Sequence, residues 1–298
     1  MTRPTHRSGF TLIELLIAMV VLGIVMGAAL TMMRSQSTNF RKGGTRMEVV
    51  QNMRYAMSTI DRVLRTTGAG VGTNQPMFVY GSNDVVLFNT NYATIIPDGT
   101  ALYTNPDLPA GAVGSMLNNA QLTIPGTAIL YPDSNYFWGG VTPSNAETMM
   151  FFFRPDSTTA ADPNDFLLLQ QINNLAPEQV ARNIYPYPGR PFFEFWYDSS
   201  TAAGTVVSTQ LQAARIPFRH TAGWHGSPGD SAGSALADSI RMVRVNFTVT
   251  NADAQDSTSR MVSTIIGTPN NGLVLIKTCG DQPICTSGVS ATPNVVGT

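Results

Sequence analysis

The sequence predicts an α+β fold: one long amino-terminal helix whose second half packs on an antiparallel β-sheet carrying long loops. Three observations lead there. Leu15 to Met33 is an apolar run without a charge until Arg34, and about 20 such residues span a bilayer core as a helix. Beyond it Met47, Val50, Met53, Met57, Ile60 and Leu64 recur at steps of three and four, the spacing of one apolar helical stripe. After Gly72 the chain changes to short apolar bursts separated by Gly, Pro, Asn and Asp, the signature of strands and turns.

The helix opens at Thr11-Leu12-Ile13-Glu14, an S/T-x-x-E capping box in which Glu14 satisfies a backbone N–H at the first turn. Glu14 also stands at the head of the apolar run, where a carboxylate costs about 2.5 to 3.5 kcal/mol at mid-membrane, so a charge kept there calls for a partner. Gly23-Ile24-Val25-Met26-Gly27 is a G-x-x-x-G, which lets helix backbones approach closely. Gly43-Gly44 is expected to be a weak point or bend. Asp61 and Arg65 can pair at i, i+4, Arg62 and Arg65 suit the negative pole of the helix, and Gly68 is the expected stop, making a rod of roughly 85 Å from Phe10 to Thr67.

Strands are expected around Met77 to Tyr80, Val85 to Phe88, Ala128 to Tyr131, Met149 to Phe153, Phe166 to Leu169 and Phe192 to Tyr197. Pro97-Asp98-Gly99 and Pro132-Asp133 read as turns. In the clearest alternation Val243, Val245, Phe247 and Val249 face inward against Arg244, Asn246, Thr248 and Thr250, a half-buried strand, with another around Met261 to Ile266.

Composition narrows the function. At 298 residues, 43% hydrophobic and 12% charged, the chain can bury a core of one sizeable domain or two small ones beyond the helix. A net charge of −1 without basic runs argues against nucleic acid as a main partner. Cys279 and Cys285 enclose only Gly280 to Ile284, and in a chain exported past a membrane they are expected to form a small disulfide loop; a metal site would need further ligands, and no histidine is close in sequence.

Several motifs carry chemistry only on paper. Gly229-Asp230-Ser231-Ala232-Gly233 matches the G-x-S-x-G nucleophile elbow, yet no strand precedes it, and His220 and His225 both come before Ser231, which excludes the hydrolase order with histidine last. A surface loop is the simpler reading. His220 and His225 lack a nearby cysteine or carboxylate to complete a metal site. Gly68-Ala69-Gly70-Val71-Gly72 follows a helix and has Thr73 where a dinucleotide fingerprint needs its third glycine, so it is a helix stop and turn. Asp156, Asp162, Asn164 and Asp165 offer calcium-type oxygen donors within one loop, but their spacing fails the EF-hand pattern; no cofactor is assigned and calcium stays open. No enzyme is expected.

A basic leader ending in Gly9, then Phe10, then Thr11-Leu12-Ile13-Glu14 and a long apolar helix resembles the prepilin signature of type IV pilins and type II secretion pseudopilins. The resemblance covers about the first tenth of the chain. It implies a pilin-like fold, cleavage between Gly9 and Phe10 by the prepilin peptidase, methylation of the new terminus, and a Glu14 that neutralises the terminal amine of a neighbouring subunit during assembly. It further implies a leader 1–9, a transmembrane and filament-core helix 10–33, an amphipathic continuation 34–68 and a β-rich head 69–298. Other pilins, the peptidase and the inner membrane are the implied partners, with an extracellular filament as the destination. Arg3 and Arg7 before an apolar segment also fit a plain secretory signal cut near Gly27-Ala28-Ala29, but Glu14 has no purpose in a disposable peptide.

Gln51 to Gly70, with its I-x-R-x-L-R-x-x-G ending, looks like the larger PilW-type minor pilins and the J-type pseudopilins, and the last two strands are similar to the closing strands of that group. Many major pilins carry a proline near the position of Thr31; its absence here points to a minor pilin, with a J-type pseudopilin as the alternative and a membrane-anchored adhesin or hydrolase behind both.

Overall fold

The computed structural model describes residues 10–71, 77–92, 117–118, 121–124, 137–138, 142–143, 146–159, 162–200, 206–219, 236–237, 239–251 and 259–268. Helix α1 (Leu12–Leu64) is a single element of 53 residues, about 80 Å long. It passes through Gly43 and Gly44 without a break, so the pair does not end or divide it. Helical structure stops at Leu64, slightly before the expected end. Turns follow to Gly70, with Gly68 at φ 81° and Gly70 at φ 64°, backbone conformations that glycine adopts without strain. Gly68 N donates to Asn89 O (2.9 Å) and Asn91 N to Ala69 O (2.7 Å), which ties the end of the helix to the sheet.

The strands are β1 (Phe78–Gly81), β2 (Val85–Thr90), β3 (Leu117–Asn118), β4 (Gln121–Leu122), β5 (Phe137–Trp138), β6 (Thr142–Pro143), β7 (Glu147–Pro155), β8 (Phe166–Ile172), β9 (Glu178–Tyr185), β10 (Phe193–Ser200), β11 (Val206–Gln210), β12 (Phe218–Arg219), β13 (Ile240–Thr250) and β14 (Ser259–Gly267). Among the described residues the main sheet is antiparallel, ordered β11-β10-β13-β9-β8-β7-β2-β1-β12. β14 lies along the other edge of β13 from Met242 to Thr250, while β10 and β9 share the first edge in series. β3 with β4 and β5 with β6 form small separate pairs.

The helix docks along most of the expected stripe, through Met53, Met57, Ile60 and Leu64, but not at its Met47 end. Val49, Ala56, Ile60, Val63 and Leu64 are buried, Met53 and Met57 pack against them, and Met47 is 64% exposed. The sheet meets the helix only from Val49 onward, so Met47 lies beyond the docked surface. Asn52 Nδ2 donates to Arg182 O (2.8 Å), adding a polar tie from the helix to β9. Arg65 and Asp61 do pair, at 2.9 Å, on the exposed side.

Phe78, Phe88, Phe151, Phe153, Phe193, Phe195 and Phe247 fill the interior around that seam, with Phe153 and Phe192 stacked at 4.0 Å. β2 and β7 are buried on both faces. Val86, Phe88, Phe151 and Phe153 face the helix-side core, whereas Val85, Leu87, Met150 and Phe152 form a second cluster with Ile124 on the opposite face. A strand buried on both faces reads as a continuous apolar run, which is why both were visible as bursts. Gln171 holds the covering segment in place: its Oε1 accepts from Ile124 N (3.0 Å) and Thr123 Oγ1 (2.7 Å), and its Nε2 donates to Ile124 O (2.9 Å).

On β13 the inward set Val243, Val245, Phe247 and Val249 is buried as expected, but Asn246 and Thr248 are buried too. The half-buried strand is thus covered more fully than its alternation suggests. Asn246 Nδ2 donates to Pro191 O (2.9 Å), and its Oδ1 accepts from Ser263 Oγ (2.7 Å) across to β14. The expected strand at Ala128 to Tyr131 and the turns at 97–99 and 132–133 lie outside the described residues.

The seam predicts a graded response in urea unfolding. Ile60→Ala should cost about 2–5 kcal/mol, as for a fully buried aliphatic side chain, while Met47→Ala should stay within about 0.5 kcal/mol. Equal losses at the two positions would mean that the helix docks in the other register.

Candidate functional site

The amino-terminal turn is built from three residues. Phe10 is 89% exposed and leads into Thr11, whose extended backbone (φ −80°, ψ 152°) caps the helix. Glu14 Oε2 accepts from both Thr11 N and Thr11 Oγ1 at 2.9 Å, and Glu14 N donates to Thr11 Oγ1 at 3.4 Å. The capping box is complete, and the carboxylate sits at the positive pole of the helix, where negative charge is favoured. Its local partners are all in Thr11, one turn away. Gly9 lies outside the described residues, so the bond between Gly9 and Phe10 has no described geometry.

From Phe10 to Gly44 every residue is exposed, including Leu12, Ile13, Met19, Leu22, Ile24 and Met33. The segment is long and apolar enough to cross a membrane, and nothing among the described residues buries it. Thr31 Oγ1 donates to Ala28 O at 2.8 Å, which satisfies that hydroxyl within the helix. A Cβ added at Gly23 or Gly27 would meet nothing within 4 Å. Nothing among the described residues requires glycine at either place, and both are open to close approach of another backbone.

The acidic loop uses several of its carboxylate oxygens in hydrogen bonds of its own, while the buried Asp165 Oδ1 accepts none among the described residues. Asp156 Oδ1 accepts from Thr158 N (2.8 Å) and Thr158 Oγ1 (2.7 Å), and these bonds hold its carboxyl below the usual range. Asp162 Oδ2 accepts from the Tyr185 hydroxyl (2.6 Å) and Oδ1 from Asn164 N (3.0 Å), again lowering the carboxyl. Burial pushes Asp165 up; the bond from Thr159 Oγ1 (2.9 Å) offsets part of this, and the charges of Asp156 and Asp162 add to it. Among the described residues no group of three or more His, Cys, Asp and Glu could hold a metal ion. Cys279, Cys285, His220, His225 and Ser231 lie outside the described residues.

Tyr185 went unread in the sequence because β9 is polar at its exposed positions and shows no apolar burst. The bond to Asp162, then burial, push its hydroxyl up to about 12. Because the folded value lies above the ordinary one, near 10, this stabilisation is complete below about pH 10 and fades as pH climbs through about 12. Absorbance titration should therefore show one tyrosine ionising about two units late, and Tyr185→Phe should remove that step. An unchanged titration would mean that the hydroxyl does not bind Asp162.

The chain is similar to a type IV-like pilin from Thermus thermophilus, at 8% identity and a TM-score of 0.31, over 74% of this chain and 97% of that one. No curated protein sequence matches the chain. The model of the prokaryotic N-terminal methylation motif matches residues 4–30, a segment that contains Gly9, Phe10, Thr11, Glu14, Gly23 and Gly27.

Proposed function

We propose that the chain is a prepilin-like structural subunit, held in the inner membrane by residues 10–33, cut after Gly9, methylated at Phe10 and then packed helix to helix into a type IV pilus. The observation that carries this reading is the bare apolar helix: an exposed run of this length beneath a folded sheet needs either lipid or other helices around it, and the methylation motif begins it. Glu14 supports the same reading. Its carboxylate is presented at the first turn beside Phe10, where the terminal amine of a neighbouring subunit would give it the opposite charge that burial in a filament demands. Gly23 and Gly27, open on the same helix, allow the close helix contacts that assembly would use.

Within that class the chain is read as a minor pilin that helps to start or cap the filament. The head is bulky for every position in a dense fibre, and the helix lacks a proline near Thr31. A J-type pseudopilin of a secretion system is the second reading, favoured by the same bulk and by the ending of the helix at Arg62 and Arg65. The role is assembly rather than catalysis. The proposed Cys279–Cys285 disulfide would close a short loop near the end of the head once it is exported.

Intact mass and amino-terminal analysis of the membrane-derived protein should give a chain starting at N-methylated Phe10. Glu14→Ala should remain in membranes but disappear from sheared filaments. A start near Ala29, or an uncut leader, would overturn the prepilin reading. Deleting the gene should reduce surface piliation; intact pili with failed exoprotein release would assign the chain to secretion instead.

A further inference from the structure

We propose that α1 carries a docking surface for anionic phospholipid headgroups, formed by Arg34, Arg41, Lys42 and Arg46 between the membrane-crossing run and the head. This rests on the membrane reading above. Arg34 follows Met33 directly, and no acidic residue intervenes between Glu14 and Glu48, so the stretch carries four positive charges and no negative one. All four side chains are exposed, and none makes an ion pair among the described residues. In the head, three arginines have carboxylates: Arg190 and Arg244 reach Glu194, and Arg241 reaches Asp198. Among the described residues no carboxylate neutralises the four helix cations.

Their placement on the helix is directional. Residues seven apart lie almost in line at 3.6 residues per turn. Lys42 stands one such step before Val49, and Arg46 one before Met53, the columns that meet the sheet further along. Both therefore lie on the side of the helix that the head occupies, while Met33, Phe40 and Met47 form an exposed apolar column on another side. The membrane-crossing run ends about 24 Å before the docked seam begins at Val49. Into that gap the cations fall at about 2 Å (Arg34), 12 Å (Arg41), 14 Å (Lys42) and 20 Å (Arg46) beyond Met33.

The phospholipid headgroup layer extends roughly 5–8 Å from the hydrocarbon edge. Helical side chains lean toward the amino terminus, here toward the bilayer, and long Lys and Arg side chains extend further. Arg34 therefore lies within the headgroup layer, and Arg41 and Lys42 come within the Debye length of about 8–10 Å from it. Basic residues next to a membrane-crossing helix are attracted to anionic lipid in this way, at roughly fivefold in affinity per cation close to the surface. Gly43 and Gly44 lie among them and weaken the helix locally, so headgroup binding on either side would also steady this turn.

The test is hydrogen exchange, read by mass spectrometry, of the full chain reconstituted in bilayer discs of phosphatidylcholine alone or with about one-third phosphatidylglycerol. Exchange over residues 34–48 should slow by about fivefold or more in the anionic discs. The slowing should vanish in Arg41→Gln/Lys42→Gln/Arg46→Gln, and at about 1 M salt, where the Debye length is about 3 Å. Protection of β7, β10 and β13 should be unchanged in all of these, which shows that the variant is folded. Equal exchange in the two kinds of disc, or slowing that survives the triple substitution, would overturn the proposal. A chain that enters neither disc would overturn the membrane reading and the docking surface with it, and is distinguished by its absence from the disc fraction.

Discussion

The structure depends on a single helix that has to be compatible with two surroundings. From Leu12 to Met33 its side chains are, apart from Glu14 and Thr31, apolar on every face, and all of them are exposed. From Val49 to Leu64 one stripe is fully buried against a sheet. Burial of apolar surface drives both ends, but only one of them has its partner within the molecule. A fold of this kind satisfies its head on its own and leaves its first half unsatisfied until lipid or another subunit covers it.

The head is organised to keep the docked half of the helix fixed. The turns after Leu64 bond to the end of β2, Asn52 bonds to β9, and the helix lies against β9, β13 and β14. These ties come from strands distant in sequence, so the helix is held along its length rather than at one point. The exposed half is consequently presented in a defined direction from the sheet, with Glu14 at its far end. At that end the capping box keeps the Glu14 carboxylate satisfied while the helix stands alone, and leaves the same group beside Phe10. This local role is compatible with the proposed contact to a neighbouring subunit's amine, because the oxygens of a carboxylate accept more than one hydrogen bond each.

Much of this was legible in the sequence for a physical reason. The amino-terminal signature is local: Thr11 and Glu14 are three residues apart, and the apolar run needs no tertiary contact to be recognised. Strands buried on both faces, such as β2 and β7, stood out as unbroken apolar runs, and Val243 to Val249 stood out by alternation. Of the longer strands, β9 and β11 escaped notice because their side chains are mostly polar and exposed, so that pairing with a neighbour rather than their own composition sets their place; the two-residue strands β3 to β6 and β12 are too short to show a period. Calcium-type donors were legible as residue types, but not the bonds that Thr158, Thr159 and Tyr185 make to some of them.

By itself the sequence determined the membrane-length helix, its cap, its glycine pair at Gly23 and Gly27 and the methylation motif, because each depends on residues within a few turns of one another. Only the tertiary structure decided where the docked stripe begins, since Met53, Met57, Ile60 and Leu64 dock as their spacing suggests, while Met47 is exposed and Val49 is the first buried residue. It also decided that Asn246 and Thr248 are buried and that Tyr185 reaches Asp162. Each of those outcomes is a contact between segments far apart in the chain, and the periodicity of one segment carries no information about where another will lie.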